Sequence, residues 1–204
     1  MDPQDVAKSY DQIAHHWDSN RFPRDNGIAQ HERAVAFTDL RGPALDVGCG
    51  SSGRLIDLLL EHGFSAEGLD ISGKMVELAR RRHPELIFHH ADICEWQFPR
   101  SYDFVSAWDS IWHVPLQAQE SVLLKIFHAL SPGGVAIFSL GGTQDPSETT
   151  NSHMGPPMYH STIGIPRILE LIAEAGSICR HLEYDQHPEL HAYIICQQQG
   201  GRDR

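Results

Sequence analysis

The amino-acid sequence predicts an α/β fold in which a doubly wound, seven-stranded sheet carries helices on both faces. Short apolar runs alternate with helical periodicity from residue 44 onward, and this alternation is typical of parallel strands joined by crossover helices. The last two apolar runs, at 178–184 and 190–196, are separated by too few residues for a crossover. The sheet is therefore predicted to be mostly parallel, with an antiparallel last strand.

Length and composition indicate one globular domain. The chain has 204 residues, of which 41% are hydrophobic and 21% charged, and a chain of this size buries roughly 70% of its unfolded surface. We therefore expect a single domain over residues 1–204. No apolar run approaches the ~20 residues that span a bilayer. The acidic start lacks the pattern of a secretory signal, so we expect a cytoplasmic protein with no membrane partner.

The net charge of −11 is spread over both halves of the chain. Non-specific binding to nucleic acid or to an anionic membrane needs the opposite sign, so a nucleic-acid partner is not expected. The four cysteines form no Cys-x-x-Cys pair, which disfavours a redox or zinc motif. Among the histidines, His187 and His191 form the best pair of ligands, but two ligands make a poor metal site. We therefore expect no metal.

The N-terminal segment, residues 1–40, is predicted to be helical. Val6, Tyr10, Ile13 and Trp17 lie on one face of its first helix, and a second helical stretch follows. These helices precede the sheet and form a candidate lid.

Strands and helices then alternate along the chain. The first five predicted strands lie at 44–47, 66–70, 86–92, 102–108 and 135–140, with helices around 55–60, 75–82 and 123–130. Residues 141–164 are rich in Gly, Pro, Ser and Thr, which predicts a long loop on the acceptor side. One more helix, around 165–172, leads to the last two strands.

A glycine loop joins the first predicted strand to the first helix of the sheet. Gly48, Gly50 and Gly53 let the backbone approach a ligand closely and present amide groups at a helix start. A Gly-x-Gly-x-x-Gly pattern by itself fits several nucleoside-binding folds. The residues around the loop must therefore indicate which of these nucleoside-binding folds the sequence adopts.

Three aspartates narrow the choice of ligand. Asp46 comes two residues before the loop, where a carboxylate can organise the loop or face a cationic ligand. A carboxylate beside the loop would repel a pyrophosphate and attract a sulfonium or ammonium group. Asp70 ends the second strand and can accept hydrogen bonds from both hydroxyls of a ribose. Asp92 ends the third strand, where it can accept from the exocyclic amine of a purine. The sequence thus predicts a site for a positively charged adenosyl compound.

Four motifs combine with these aspartates: LDVGCG at 45–50, LDIS at 69–72, ADI at 91–93 and LSPGG at 130–134. Together they resemble the class I S-adenosylmethionine-dependent methyltransferases of the small, single-domain kind. The resemblance covers residues 10 to 142 and returns weakly at the last helix and strands. It implies a Rossmann-like fold with a reversed last strand. It also implies S-adenosylmethionine as cofactor, with S-adenosylhomocysteine as product.

The resemblance also implies a set of cofactor-binding residues. The loop would contact the methionine part, Asp70 the ribose, and residues after the second and third strands the adenine. Trp108 would lie beside the methionine end. The full set is Asp46, Gly48, Cys49, Gly50, Asp70, Ile71, Met75, Asp92, Ile93 and Trp108.

Candidate catalytic residues follow the fourth strand and lie in the long loop. His113 could remove a proton at neutral pH, or it could be a packed histidine. Tyr159 and His160 could close over an acceptor, or they could belong to an ordinary loop. His113, Tyr159 and His160 are therefore the predicted catalytic set.

Four further residues are candidates for acceptor binding. Tyr10 and Trp17 share a helix face, which by resemblance folds over the cofactor; an apolar stripe is also typical of plain core. Trp112 lies beside His113, and His153 lies in the long loop.

The predicted function is in-line transfer of a methyl group from S-adenosylmethionine to a small-molecule acceptor, for which the protein mainly aligns the reactants. Gly53 follows Gly50 at the spacing of a dinucleotide loop, so a nicotinamide-dependent oxidoreductase remains an alternative. A non-catalytic S-adenosylmethionine-binding module is another. The sequence identifies neither the acceptor nor the oligomeric state.

Overall fold

A computed structural model describes residues 1–17 and 23–200 of the chain. Residues 18–22, part of the predicted N-terminal segment, lie outside the described residues. The described strands are β1 (Pro43–Val47), β2 (Ser65–Asp70), β3 (Phe88–His90), β4 (Tyr102–Ala107), β5 (Leu130–Gly141), β6 (Ser147–Asn151), β7 (Met158–Thr162), β8 (Ser177–Glu183) and β9 (His191–Gln198).

Seven of these strands form one sheet in the order β3-β2-β1-β4-β5-β9-β8. Strands β1 to β5 pair in parallel, whereas β9 is antiparallel to both of its neighbours, β5 and β8. Six strands therefore point one way and the last strand of the chain points the other way. The prediction of a mostly parallel sheet with a reversed last strand is confirmed.

The helices are α1 (Pro3–Ile13), α2 (Ile28–Val35), α3 (Arg54–Glu61), α4 (Gly73–Arg82), α5 (Gln119–His128) and α6 (Ile165–Glu174). Residues of α2, α3 and α4 share one buried apolar cluster with Ala44, and residues of α5 and α6 share another with Leu45. Neighbouring residues of a strand point to opposite faces. The sheet is therefore covered by helices on both faces, as predicted.

Residues 141–164 differ from the predicted loop because they contain a hairpin. Strands β6 and β7 pair in an antiparallel two-stranded sheet. The hairpin is fixed by contacts with residues far away along the chain. The side-chain amide of Gln119 donates to the carbonyl oxygen of Ser161 at 2.8 Å, and the hydroxyl of Ser161 donates to the carbonyl oxygen of Val114 at 2.6 Å. Local sequence patterns carry no sign of such long-range contacts, so the polar composition predicted a loop.

The N-terminal helix α1 lies across the edge of the sheet. The carboxylate of Asp11 accepts hydrogen bonds from the hydroxyl of Ser72 at 2.6 Å and the amide of Lys74 at 3.1 Å. The hydroxyl of Ser9 donates to the carbonyl oxygen of Pro157, ahead of β7, at 2.8 Å. These contacts join α1 to the start of α4 and to the hairpin.

Candidate active site

A cavity of about 660 Å³ opens at the carboxyl ends of the parallel strands. Its walls come from α1, the loop after β1, the ends of β2 and β4, the turn after β3, β7 and the start of β9. In open α/β sheets this edge is where ligands bind. The volume falls within the roughly 300–1,000 Å³ of small-molecule sites.

The glycine loop is held against β2 and against the turn after β4. The amides of Gly48 and Cys49 both donate to the carbonyl oxygen of Leu69, at 2.7 and 3.1 Å. Gly48 has a φ of +73°, and a Cβ there would lie 2.3 Å from the Cβ of Ser110. Only glycine fits this position without displacing the turn after β4.

Asp70 lies in the cavity wall between the glycine loop and α4. Its two carboxylate oxygens accept hydrogen bonds from the amides of Gly50 and Ser72, each at 2.8 Å. Burial raises the pKa of Asp70, and these two amide donors counteract part of that rise. The structure therefore places Asp70 in the cavity wall, and its contact with a ribose stays a prediction.

Apolar side chains and one carboxylate line the cavity beyond Asp70. Ile71, Met75 and Ile93 all belong to the wall, together with Asp92. The Asp92 carboxylate accepts from the amide of Cys94 at 2.8 Å, which fixes the turn after β3. All four residues that the sequence predicts for the adenine thus line the cavity, and their contact with an adenine stays a prediction.

Asp46 requires a correction, because it does not line the cavity. It is 2% exposed and lies on the same side of β1 as Ala44, the side that α2 and α3 cover. Burial raises its pKa to about 7, although Ser106 and Arg54 counteract part of this rise. The expectation that Asp46 attracts the cofactor's positive charge directly is therefore not supported, and Val47 takes its place in the wall.

Trp108 belongs to the cavity wall, in the part that the sequence predicts for the methionine portion of the cofactor and that we call the methionine end. The indole N–H donates to the side-chain oxygen of Asn26 at 3.2 Å, and the ring is 3% exposed. Arg54 lies nearby and donates to the carbonyl oxygen of Asn26 at 2.7 Å and to the hydroxyl of Ser52 at 3.0 Å. The sequence predicted Trp108 but not Asn26 or Arg54.

Another part of the cavity wall is aromatic, and we call it the acceptor end after its predicted role. Tyr10 packs against Trp17 with ring centroids 5.6 Å apart, and it packs against His113 at 5.3 Å. His160 lies 4.9 Å from His113 and 6.1 Å from Trp112. The structure thus brings together five of the residues that the sequence predicted for catalysis or acceptor binding.

Both ring nitrogens of His113 are engaged by protein groups. Nδ1 donates to the carbonyl oxygen of Tyr159 at 2.6 Å, while Nε2 accepts from the Tyr10 hydroxyl at 2.7 Å and from the Trp112 indole at 3.1 Å. Burial lowers the pKa of His113 to about 4. This arrangement favours the packed histidine over a proton acceptor.

Tyr159 and His153 require corrections as well. The hydroxyl of Tyr159 donates to Glu148 at 2.6 Å and accepts from the amide of Leu116 at 3.1 Å, so the side chain packs under the hairpin and does not line the cavity. His153 is exposed at the tip of the hairpin and does not line the cavity either. Met154, its neighbour, lines the cavity instead.

Sequence reasoning missed a chain of charged groups at the acceptor end. His191 donates from Nε2 to Asp109 at 3.3 Å and from Nδ1 to Asp185. Burial alone would lower the pKa of His191, but the two carboxylates outweigh it and raise the pKa. The available signal was positional: Asp109 follows β4, and His191 begins the reversed strand, so both lie at the same edge of the sheet.

A second cavity of about 310 Å³ adjoins the acceptor end. Its walls share Trp112, His160, Glu189 and His191 with the first cavity and continue under the hairpin. Within residues 1–17 and 23–200 no group of three or more His, Cys, Asp or Glu side chains could hold a metal ion. In the same part of the chain, no helix has the length and apolar character needed to cross a membrane.

Residues 44–134 match the family described as "Methyltransferase domain". The dTDP-3-amino-3,6-dideoxy-alpha-D-glucopyranose N,N-dimethyltransferase of Streptomyces fradiae is 36% identical over 95 residues, which cover 46% of this chain and 37% of that protein. The trans-aconitate 2-methyltransferase of Paracidovorax citrulli is 37% identical over 111 residues, which cover 52% and 42%. The matched region spans less than half the length of either relative.

The fold is shared with a S-adenosylmethionine-dependent methyltransferase from Clostridium acetobutylicum. The two superpose with a TM-score of 0.71 at 13% identity, over 94% of this chain and 100% of that chain. The family match agrees with the predicted methyltransferase and gives no support to the oxidoreductase or to the non-catalytic module, and the structural neighbour shares the predicted fold. In its motifs, its strand order and its matched segment of residues 44–134, the chain is similar to the class I S-adenosylmethionine-dependent methyltransferases.

Proposed function

We propose that this protein transfers a methyl group from S-adenosylmethionine to a small-molecule acceptor. The observation that carries the proposal is one cavity with two chemically different sets of wall residues. Asp70 and Asp92 belong to one set, and Tyr10, Trp112 and His160 belong to the other. A single cavity of this kind can hold the cofactor and the acceptor side by side, which methyl transfer requires.

The residues around Asp70 fit the adenosyl cofactor. A Cβ at Gly50 would meet no atom within 4 Å, so the loop leaves open space next to the Asp70 carboxylate. Asp70 would accept from the ribose hydroxyls, and Asp92 from the amine of the adenine, which Ile71, Met75 and Ile93 would border. When bound, S-adenosylmethionine supplies a methyl group activated by the sulfonium.

The methionine end has groups suited to an amino acid. Gly48, Cys49 and Gly50 expose the loop backbone there, with Trp108 beside it, and the Arg54 guanidinium would pair with the carboxylate of the methionine part. Burial lowers the pKa of Arg54, and nearby carboxylates offset part of that effect, so the guanidinium keeps its charge. These residues would bind and orient the cofactor.

The segment 1–40 and the hairpin of 141–164 would cover the acceptor. Helix α1 contributes Tyr10 to the cavity wall, and the Tyr10–His113 hydrogen bond of 2.7 Å would hold it there. His160 and Trp112 would contact the acceptor from the other side. Covering the site excludes water from the sulfonium, and the absence of water protects an activated methyl group from hydrolysis.

The third glycine of the loop has a structural use that needs no dinucleotide. Gly53 has a φ of +69°, and a Cβ there would lie 2.6 Å from the Arg82 side chain and 3.1 Å from His83. The spacing that permitted a nicotinamide cofactor therefore reflects packing against the end of α4. A nicotinamide-dependent oxidoreductase loses its one supporting feature.

Calorimetry with S-adenosylmethionine and with NADH tests the cofactor, and release of S-adenosylhomocysteine over an acceptor library tests turnover. We expect S-adenosylmethionine to bind and NADH not to bind. Asp70→Asn should raise the dissociation constant of S-adenosylmethionine about tenfold to a hundredfold, and Asp145→Asn, an exposed carboxylate outside the cavity, should not. Binding of NADH alone would overturn the proposal, and binding without any turnover would favour a non-catalytic module.

A cytoplasmic location and the exclusion of nucleic-acid acceptors stay predictions. The first rests on a start that lacks the pattern of a secretory signal, and the second rests on the net charge of −11. Turnover assays with DNA and RNA fragments beside the small-molecule library test the second of them directly.

A further inference from the structure

The acceptor end of the cavity carries an excess of negative charge. Asp109 and Glu189 both line it. Among the described residues that line the cavity, Arg54 and His191 supply the positive charges, and Arg54 reaches Asp109 through Asn26, to which both are hydrogen-bonded. The three carboxylates of Asp109, Asp185 and Glu189 outnumber these two cations. The remaining wall histidines do not add charge, because burial lowers the pKa of His113 and of His160.

The positive charge of His191 is already matched by carboxylates. Its two ring nitrogens donate to Asp109 and to Asp185, and its side chain is 8% exposed. Asp185 also accepts from the side-chain amide of Gln30 at 2.8 Å. The group of two carboxylates and one imidazolium keeps a net negative charge, to which Glu189 adds.

Asp109 is held in one orientation and still reaches the cavity. Its φ of +53° lies in the left-handed region, and its amide donates to the Ser139 hydroxyl at 2.7 Å. One carboxylate oxygen accepts from Asn26 at 2.9 Å, and the other accepts from Ser139 and His191 at 3.3 Å. The side chain is nevertheless 30% exposed, so part of the carboxylate remains open to a ligand.

The carboxylate of Asp109 stays ionised. Burial raises its pKa, but hydrogen bonds from His191 and Asn26 and the charge of Arg54 outweigh burial and lower the pKa overall. Asp109 also directly precedes Ser110, which lies against Gly48 of the cofactor loop. A fixed negative charge therefore stands between the expected position of the cofactor and the acceptor end.

We propose that the acceptor is an amine, methylated on nitrogen, and that Asp109 binds the amine while His191 and Asp185 position Asp109. This inference rests on the proposed function and names its substrate class. Trp112, whose ring lies 5.4 Å from that of His191, adds an aromatic side chain to the same part of the cavity wall. Aromatic rings next to carboxylates favour cationic ligands.

The chemistry of nitrogen methylation suits this charge distribution. A primary amine reacts as the free base: its lone pair forms the bond to the methyl carbon while the bond from that carbon to sulfur breaks and leaves its electron pair on sulfur. The positive charge thus moves from sulfur to nitrogen, and the product leaves as an N-methylammonium ion with both of its original hydrogens. Asp109 lies where the charge arrives. A proton carried by an incoming ammonium goes to bulk water before the reaction.

A carboxylate acceptor meets the opposite situation. Asp109 and Glu189 would repel it, and His191 has no free N–H to offer. One relative that the chain matches acts on trans-aconitate, as its name states, and another on an amino sugar. The charges at the acceptor end separate these two classes and favour the amine.

The test uses the full chain loaded with S-adenosylhomocysteine and three probes with one carbon skeleton. The probes are cyclohexylmethylamine, cyclohexylmethanol and cyclohexanecarboxylate, and binding is measured by calorimetry. We expect the amine to bind about tenfold or more tightly than the alcohol, and the carboxylate to bind more weakly than either. Asp109→Asn should remove the preference for the amine. Asparagine tolerates the left-handed backbone at this position, so the variant should fold.

Matched variants separate binding from positioning. Asp145→Asn and His128→Gln change an exposed carboxylate and an exposed histidine outside the cavity, and they should leave all three affinities unchanged. His191→Gln should weaken the amine preference only in part, because Asp109 remains. Since it removes one partner of Asp109, the pH at which the amine preference is lost on acidification should also rise. If His191→Gln changes neither the preference for the amine nor the pH at which that preference is lost on acidification, His191 does not position Asp109.

The remaining outcomes of the experiment would overturn either the inference or the proposed function. Equal binding of the amine and the alcohol, tighter binding of the carboxylate, or no binding of the amine would overturn the inference while leaving the proposed function in place. A loss of S-adenosylhomocysteine affinity in Asp109→Asn without a loss of amine preference would assign Asp109 to the cofactor and overturn the inference as well. Failure of the wild-type chain to bind S-adenosylhomocysteine would instead count against the proposed function.

Discussion

Two glycines of the loop between β1 and α3 provide a matched pair of alanine substitutions. Gly48 and Gly50 have φ values of +73° and +56°, so alanine at either position costs roughly 1–2 kcal/mol in backbone energy. Their surroundings differ. A Cβ at Gly48 would lie 2.3 Å from the Cβ of Ser110, whereas a Cβ at Gly50 would meet no atom within 4 Å.

The structure gives a magnitude for each variant. Gly48→Ala must displace Ser110, whose hydroxyl donates to the carbonyl oxygen of Val47 at 2.8 Å. Overpacking of this kind costs roughly 1–3 kcal/mol, so the free energy of unfolding should fall by roughly 2–5 kcal/mol in total. Gly50→Ala has the backbone cost alone, roughly 1–2 kcal/mol. Its new methyl group would, however, occupy the open space next to Asp70.

The assay combines unfolding in urea with calorimetry using S-adenosylmethionine. Gly50→Ala should bind S-adenosylmethionine at least about tenfold more weakly than the wild type, and it should be the more stable of the two variants. Equal losses of stability would show that the contact of Gly48 with Ser110 does not limit packing. Wild-type affinity in Gly50→Ala would mean that the space beside Asp70 is not the cofactor site.

Three further predictions concern ionisable groups. Because burial raises the pKa of Asp46 from 3.8 to about 7, the folded state binds this proton more tightly than the unfolded state, and stability falls as pH rises between those values. The difference in unfolding free energy between Asp46→Asn and the wild type should therefore move in favour of the variant by roughly 4 kcal/mol from pH 4 to pH 8; a constant difference would contradict the burial of Asp46. Tyr10→Phe removes the hydrogen bond to His113, so hydrogen exchange in α1 should speed up by about fivefold while β9 is unchanged. Burial lowers the pKa of His113 to about 4, so His113 should not change its charge near pH 6.5, the ordinary pKa of histidine. The rate of methyl transfer should therefore depend on pH in the same way around pH 6.5 in the wild type and in His113→Gln.

The sequence predicted the sheet and the cofactor end because both depend on local patterns. A residue that ends a parallel strand lies at the ligand edge whatever the rest of the fold does. This reasoning placed Asp70 and Asp92 in the cavity wall, where the structure has them. The same reasoning also predicts that Asp109, which follows β4, lies at this edge of the sheet, and the structure has it in the cavity wall.

The errors have a common physical origin in long-range packing. Strand β1 is buried on both faces, so its pattern does not reveal which face meets the cavity or whether Asp46 reaches the ligand directly. The β6–β7 hairpin depends on Gln119, which is 42 residues from Ser161 along the chain. Within this hairpin the hydroxyl of Tyr159 in β7 donates to Glu148 in β6, and the Tyr159 side chain does not reach the cavity. No local periodicity encodes these contacts.

The reversed strand β9 explains why the acceptor-side groups converge on one edge. Parallel strands bring their last residues to the cavity, whereas an antiparallel neighbour brings its first, and His191 is the first residue of β9 and pairs with Gly141 at the end of β5. The link from β8 to β9 must cross the same edge, and it carries Asp185 and Glu189 there. A parallel last strand would place its first residue at the opposite edge of the sheet. The short connection between β8 and β9 predicts the reversal of the last strand, and it therefore also predicts that the polar residues of the connection face the ligand. This inference is stronger than a metal site at His187 and His191, for which the sequence offers only two ligands.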